Sequence, residues 1–411
     1  MWLLLLLPAL LFQICTASPE PPPPPPPRSI VVVTPTAPVP INGIAEWTLT
    51  IKDSSGSGNR SAWEALNITL DLVPPPGAAP YNASHRGFLY AGSVWKVRAA
   101  LRSPGQHDYT LTAAWTGSSA VLHRSQGTAA CSATAPAQNT SVGPRGYLRP
   151  RFGLPPFRTA FEDGTLFTGL GIGDCLNDQL TFATYNESDG GEFTRSLEQY
   201  VDFCHCGPIS DRHSLRPVRC VSPSRSALLI APIDAVWVRC SCQFNDDIRY
   251  VRDYSEAGFN IFRWSNGNCA WRIEKSFDGS LGRPVGNVYN ETLVLELDRL
   301  FDTFRARGMS MWAVPFAKLS RNPLFPNMGD GDSKYHQAQR QAIEGHLQFV
   351  VARWGAQTDV WSLLNEQRAD TGWLSVAADF VRSIDPYHHP ITSSWNDHIN
   401  MSQIEMDSVH W

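Results

Sequence analysis

The sequence has little charge and only a small excess of one sign. Charged residues make up 18% of the chain, against about 25% in an average soluble protein, and the formal net charge is −4 at pH 7. Nucleic acid and acidic membrane surfaces are bound through clustered positive charge, so this balance indicates neither partner. The chain also lacks repeated apolar runs of about 20 residues, which excludes a protein with several membrane spans.

The one long apolar stretch, from Leu3 to Ile14, lies at the N-terminus. It is followed by Cys15-Thr16-Ala17, small residues of the kind that a signal peptidase reads, so we expect residues 1–17 to be a cleaved signal peptide. A buried N-terminal helix and an uncleaved anchor are the alternatives. Seven Asn-x-Ser/Thr sequences also occur, at Asn59, Asn67, Asn82, Asn139, Asn186, Asn290 and Asn400. Together these features predict a secreted, extracellular glycoprotein without a membrane span.

Residues 18–145 divide into a linker and a first domain. Pro21 to Pro27 is an unbroken proline run, so residues 18–28 are predicted to be a stiff polyproline II spacer. From residue 29 to 145, short stretches such as Trp47 to Ile51 and Leu66 to Leu72 alternate apolar and polar residues between turn residues. This pattern predicts an antiparallel β-sandwich domain.

Residues 146–411 alternate strand and helix patterns. The predicted strands lie near residues 166, 259, 309, 359, 391 and 407, and the helices between them carry one apolar face each. The glycine-rich segment Gly169 to Gly173 is not followed by a helix, so it does not indicate a phosphate-binding loop. The pattern therefore predicts a multidomain chain whose second domain is an incomplete TIM (β/α)8 barrel.

A cysteine-rich insertion, about residues 174–244, interrupts the barrel pattern. It contains two Cys-x-Cys pairs, Cys204 with Cys206 and Cys240 with Cys242. Structural zinc sites usually have two to four residues between paired ligands, so disulfides are favoured over zinc in an exported chain. No histidine spacing typical of a metal site is present, and we predict no metal and no cofactor. Nothing in the sequence indicates an oligomeric state.

The residues most informative about chemistry are Asn365 and Glu366, which end the apolar strand from Val360 to Leu364. Hydrolysis of a glycosidic bond needs a carboxylic acid that protonates the leaving oxygen. A Glu in a concave, aromatic-lined site is favoured in its protonated form, and a neighbouring amide can hold a sugar hydroxyl. The alternative is a helix-start cap facing solvent.

Asn-Glu at the end of the fourth barrel strand resembles the glycoside hydrolases of clan A. Arg263, which ends the second strand, is similar to the active-site Arg of that family, and His410-Trp411 is similar to its His and aromatic residue after the sixth strand. The segments around Gly87 to Gly92 and Trp95 to Arg98 resemble a β-sandwich of unknown function that precedes such barrels. The resemblance implies a retaining two-carboxylate mechanism on a β-linked polysaccharide or oligosaccharide, with Glu366 as acid/base. It also implies that Asn365, Arg263 and His410 bind or orient the substrate.

One departure concerns the second carboxylate. The family's nucleophile is a Glu ending the seventh strand, and the sequence stops at the sixth, which suggests a truncated gene or a fragment. Asp397, Glu405 and Asp407 are carboxylates near the predicted mouth, but none has the nucleophile's position.

Tryptophans near strand ends can stack on sugar rings or fill the barrel core. We predict stacking for Trp264 and Trp395, and core positions for Trp312 and Trp361.

The missing nucleophile leaves a second hypothesis open. The chain could be a non-catalytic extracellular glycan-binding or cell-surface interaction protein whose β-sandwich is the working part. Glycan binding by residues 29–150 without turnover by the full-length protein distinguishes this hypothesis from the enzyme.

Overall fold

The computed structural model describes residues 29–52, 66–79, 81, 84–116, 121–133, 145–151, 158–172, 251–266, 273, 289, 291–316, 340–365, 371–393 and 401–407. The predicted signal peptide, proline-rich linker and cysteine-rich insertion lie outside these residues. Within them, no helix has the length and apolar character needed to cross a membrane.

The N-terminal part is an eight-stranded sheet in which nearly all neighbouring strands are antiparallel. The sheet order is β1-β3-β6-β5-β4-β7-β8-β2, and only β2 and β8 run parallel. The strands are β1 (Ser29–Val33), β2 (Val39–Pro40), β3 (Gly43–Lys52), β4 (Leu66–Val73), β5 (Ser84–Ala91), β6 (Val94–Leu101), β7 (Gly105–Trp115) and β8 (Val121–Ser132).

This sheet curls over its own apolar core. In β4 every second residue is buried, and Trp47 of β3 meets Tyr109 of β7 edge-on at 5.4 Å between ring centroids, so distant strands face each other. Strand β5 joins the two halves, because its first residues pair with β4 and its later residues pair with β6. The predicted alternating β-strands are confirmed, and the halves are continuous through β5 rather than two separate sheets.

Gly87 is the residue at which β5 passes from one half of the sheet to the other. A Cβ atom there would lie 2.8 Å from Cβ of Ile68, closer than carbon atoms normally approach. We therefore expect Gly87→Ala to lower the free energy of unfolding by about 1–3 kcal/mol through overpacking, measured by denaturant unfolding. The control is Gly355→Ala, where the nearest atom, on Val351, lies at an ordinary 3.5 Å. Equal losses in the two variants would contradict the close-approach explanation.

A small three-stranded antiparallel sheet connects the two parts of the chain. It contains β9 (Leu148–Arg151), β10 (Arg158–Phe161) and β11 (Leu166–Phe167), in the order β11-β10-β9. A turn joins β10 to β11, and in it the N–H of Phe161 donates to the carbonyl of Thr165 at 2.9 Å.

The C-terminal part is a six-stranded parallel sheet whose strand order follows the chain. Its strands are β12 (Gly171–Ile172), β13 (Ile261–Ser265), β14 (Ser310–Val314), β15 (Val360–Ser362), β16 (Ile391–Ser393) and β17 (Met406–Asp407). The helices between them are α1 (Glu291–Ala306), α2 (Arg340–Trp354) and α3 (Thr371–Ile384), and residues 251–256 are also helical. A parallel sheet in sequential order with helices between its strands is a partial (β/α) barrel.

The prediction of a buried first strand starting at Leu166 is wrong. Leu166 and Leu170 are 48% and 51% exposed, and Leu166 belongs to the small antiparallel sheet. The first parallel strand is β12, which pairs with β13 through Gly171 and Ile172.

Helix α1 shows how the sequence sets the register of the barrel. Its apolar face, including Leu297, Phe301 and Phe304, is fully buried, as its periodicity predicts. Gly308 has a φ of 76° and ends the helical segment, while the N–H of Met309 donates to the carbonyl of Phe304 at 3.1 Å. Strand β14 begins directly afterwards.

The β5–β6 region of the curled sheet packs against α1 and α2, and we call this contact the junction. At its centre Arg98 of β6 and Arg353 of α2 donate to the carboxylate of Asp298 of α1, at 3.0 Å and 2.6 Å. All three side chains are buried. Burial alone would raise the pKa of Asp298, but the two guanidinium groups outweigh it and hold the pKa below its usual range.

Cys131 of β8 is a free, buried thiol whose Sγ lies 3.6 Å from the carbonyl oxygen of Leu101. It therefore takes no part in the predicted disulfides. The remaining seven cysteines expected after signal-peptide cleavage lie outside the described residues.

Candidate active site

An open cavity of about 390 Å³ lies between the inner face of the parallel sheet and the small antiparallel sheet, which contributes Leu148, Thr159 and Phe167 to its lining. Because side chains alternate along a strand, Ile261 and Arg263 of β13 point inward while Phe262 and Trp264 point outward to the helices. Arg263 pairs in register with Trp312, which in turn pairs with Val360. The cavity-lining residues from the parallel sheet are Gly171, Ile261, Arg263, Trp312, Val360 and Met406.

The polar part of this face is the contact between Arg263 and Asn365. Nη2 of Arg263 donates to Oδ1 of Asn365 at 2.8 Å, although the residues are 102 positions apart in sequence. Asn365 follows β15 and is 4% exposed, so both residues lie toward the carboxyl edge of the sheet. The contact fixes the amide plane of Asn365, with its oxygen on the Arg263 side. This is the edge at which (β/α) barrels carry their active sites.

Three of the sequence-predicted site residues, Glu366, Trp395 and His410, lie outside the described residues, and their roles stay predictions. Glu366 is covalently next to Asn365, and consecutive Cα atoms are about 3.8 Å apart. Its backbone is therefore tied to the residue that Arg263 holds.

The prediction that Trp264 stacks on a sugar is wrong. Its side chain is fully buried on the outer face of β13, 5.8 Å from the ring of Phe301 and 5.3 Å from that of Trp354. The physical reason is the alternation of the strand, since Arg263 and its neighbour Trp264 cannot both face the cavity.

Trp312 is the aromatic residue that the structure brings beside Arg263, and sequence reasoning had assigned it to the core. It is half-buried and lines the cavity. Met311 and Ala313, on either side of Trp312 in β14, are fully buried. Because successive side chains of a strand point to opposite faces, treating β14 as an alternating strand would have placed Trp312 on the inner face.

A second group of polar residues holds the loops that follow β13 and β14. Nδ2 of Asn266 donates to the carbonyl of Pro315 at 3.0 Å, and its Oδ1 accepts from the N–H of Ile273. His346 of α2 also contacts the Pro315 carbonyl through Nε2, at 3.0 Å, and contacts the hydroxyl of Tyr289 through Nδ1. Because a carbonyl only accepts, Nε2 carries the proton and Nδ1 accepts from Tyr289. These contacts fix the edge beside Arg263, and sequence reasoning had not identified them.

The opposite edge of the sheet contains residues that the sequence suggested were near the mouth. Glu405 precedes β17, pairs with Arg382 and accepts from the N–H of Ile391 at the start of β16. It therefore lies at the amino edge, away from Asn365. Among the described residues, no group of three or more His, Cys, Asp or Glu side chains could hold a metal ion.

No family model matches the sequence, and a comparison with curated proteins also finds no match. The fold is similar to that of a "putative glycoside hydrolase" from Bacteroides vulgatus, with 13% identity and a TM-score of 0.54. That match covers 90% of this chain, and this chain spans 59% of the length of that protein.

Two weaker matches are also glycoside hydrolases. A glycoside hydrolase family 5 protein from Bacteroides vulgatus is 12% identical, over 66% of this chain and 45% of that one, with a TM-score of 0.36. A family 5 mannosidase from Rhizomucor miehei is 16% identical, over 39% and 50%, with a TM-score of 0.29. The similarity to the first of these three proteins concerns the fold alone.

Proposed function

We propose that this chain is the larger part of a secreted retaining glycoside hydrolase in which Glu366 is the general acid/base. The observation that carries the proposal is the 2.8 Å contact between Arg263 and Asn365 at the carboxyl edge of the sheet. It joins the second and fourth barrel strands, counted from β12, through the residues that the sequence singled out. A glycoside-hydrolase-like fold supports the same assignment by analogy.

In the proposed reaction, Glu366 donates a proton to the leaving oxygen as the glycosidic bond breaks. A second carboxylate attacks the sugar, and Glu366 then activates the water that releases it. The amide of Asn365, oriented by Arg263, holds a sugar hydroxyl, and Trp312 offers an apolar ring at the cavity wall. None of the cavity residues named above supplies the second carboxylate. The proposal therefore requires a second carboxylate besides these residues.

The substrate is proposed to be a β-linked polysaccharide or oligosaccharide, with Trp395 and His410 as further contacts. Secretion and glycosylation are part of the same proposal. Asn67 is the one glycosylation-acceptor Asn that lies among the described residues. It is half-buried on β4, and its Oδ1 accepts from Nη1 of Arg86.

Asn365→Ala tests the orienting contact. We expect kcat/KM on an oligosaccharide to fall about 10- to 100-fold, because a hydrogen bond to a charged group and its substrate contact are lost. The measurement is steady-state hydrolysis by the full-length protein, with circular dichroism as a check on folding.

Gln403→Ala is the matched control for Asn365→Ala, since its amide bonds to Ser375 and Asp379 away from the cavity. Its kcat/KM should stay within about twofold of the wild type, as for a change away from the reacting groups. If the Asn365→Ala enzyme is as active as the Gln403→Ala enzyme, the contact between Arg263 and Asn365 does not orient a substrate-binding amide.

A further inference from the structure

We propose that the junction between the curled sheet and the partial barrel is an acid-sensitive latch, closed by neutral His85 and released when His85 is protonated. The proposal does not depend on the proposed function, because every group it uses lies away from Arg263 and Asn365. It concerns whether the two parts of the chain stay docked.

His85 lies on β5 and is 3% exposed, covered by Tyr387 from the loop between α3 and β16. The rings are 5.5 Å apart, and Nδ1 of His85 is 3.5 Å from the Tyr387 hydroxyl. That hydroxyl oxygen accepts from the N–H of Ala100 on β6 at 2.9 Å. The hydroxyl proton is then directed to Nδ1, so the closed junction needs a neutral imidazole with its proton on Nε2.

Protonation reverses the role of Nδ1 from acceptor to donor. The Tyr387 oxygen would then face two donors, His85 and the Ala100 N–H, and its own proton would lose its acceptor. Nε2 of His85 is buried and has no hydrogen-bond partner among the described residues, so the second N–H of the imidazolium gains no acceptor there. A buried, poorly paired charge of this kind is costly.

The charged groups around His85 do not compensate for that cost. Arg86 on the same strand and Arg98 on β6 line the same crevice. Arg98 is already paired with Asp298 and with Glu46 of β3, so these two carboxylates are engaged and do not pair with a protonated His85. Helices α2 and α3 present only uncharged residues there, including Gln348 and Ile384.

The acidic group in the covering loop is Asp385, and other groups already bind it. Its carboxylate accepts from Nε1 of Trp361, from Nδ1 and the N–H of His389, and from the N–H of Tyr387. Among the described residues, Tyr387 also packs against the rings of Tyr147 and His389, with centroids at 5.0 Å and 5.3 Å, and its carbonyl accepts from Nη2 of Arg149 at 2.8 Å.

These surroundings set the direction of the pH response. Burial lowers the pKa of His85 from 6.5 to about 4, and Asp385 offsets only part of that shift. The open junction, in which His85 is solvated, therefore binds more protons between pH 6.5 and pH 4. Docking is at full strength above pH 6.5 and is lost progressively as the pH falls toward 4.

The test is hydrogen exchange on the full chain, with protection factors corrected for the intrinsic exchange rate. Between pH 7 and pH 5 we expect protection of the β5, β6 and α2 amides to fall about 20-fold in the wild type, from the two pKa values of His85. His85→Asn keeps an acceptor near Nδ1 but does not titrate, so its protection should stay within about twofold over the same range.

His388→Asn is the matched control, because His388 is an exposed histidine in the same loop with a φ of 52° that Asn tolerates. It should retain the pH response of the wild type. A wild-type junction equally protected at pH 7 and pH 5 would overturn the proposal, as would an equal loss in His85→Asn. If His85→Asn does not fold, His85→Gln is measured instead, and a pH response equal to that of the wild type in that variant would also overturn the latch.

Discussion

Glu366→Gln is expected to reduce hydrolysis of an unactivated β-linked oligosaccharide by about 10²- to 10⁴-fold, the usual contribution of a general acid/base. Gln has nearly the shape of Glu but cannot donate a proton to the leaving oxygen. The measurement is kcat/KM for the full-length protein, including any β/α units that follow Trp411 in the transcript.

The dependence on the leaving group makes this result specific to proton donation. A dinitrophenyl glycoside leaves as a stable anion and needs no protonation, so its first, bond-breaking step should be nearly unaffected by Glu366→Gln. A variant that is merely misfolded would lose activity on both substrates alike.

The control variant is Glu344→Gln. Glu344 lies on helix α2 and pairs with exposed Arg340 at 2.6 Å. Because this surface pair contributes little, activity should remain that of the wild type. A Glu366→Gln enzyme with full activity on the unactivated substrate would refute the acid/base role. Binding of glycans by the full-length protein, with no turnover, would favour the interaction-protein hypothesis instead.

Asp298→Asn is expected to lower the free energy of unfolding by about 3–5 kcal/mol, because removing one partner of a buried ion pair leaves the other charge uncompensated. Asp298 accepts from four donors: Nη1 of Arg98, Nε and Nη2 of Arg353, and Nε1 of Trp354. An Asn in this place presents two donor hydrogens toward guanidinium groups. Urea unfolding, followed by tryptophan fluorescence, measures the loss.

Asp253→Asn is the matched control for the junction. Asp253 also pairs with an arginine, Arg252, at 2.7 Å, but its side chain is 51% exposed. Exposed ion pairs contribute little to stability because solvent screens them, so this variant should unfold almost as the wild type does. If the two substitutions cost the same free energy, the buried ion network does not stabilise the junction.

Local pattern was sufficient to predict the helices of the barrel. Each helix between the strands was expected to carry one apolar face, and in α1 that face consists of Leu297, Leu300, Phe301 and Phe304, which are buried. The first parallel strand was misplaced because Gly169 and Gly171 have no side chains, so the segment carries no pattern of burial. Which of its residues join the sheet depends on pairing with β13, which is about 90 residues away in sequence.

The candidate site was predictable only in part, for the same reason. Asn365 and Arg263 could be recognised as polar residues after apolar runs. Their contact spans β14, which lies between β13 and β15 in the sheet, so no local pattern predicts it. The direction of Trp264 was available from strand alternation and was missed. The ion network at the junction could not be predicted from local sequence pattern. Arg98 and Asp298 are 200 positions apart, and neither belongs to a local motif that indicates a buried ion pair.

The ion network at the junction bears on how this protein can be cut for expression. Severing the chain near residue 145 would uncover Asp298 and Arg353 on one product and Arg98 on the other, together with the aromatic rings of Phe88 and Tyr90 that cover Arg353. Neither half would keep the neutralised, water-free surface that it has in the intact molecule. A cut at the predicted domain boundary therefore divides one buried ion network between the two products.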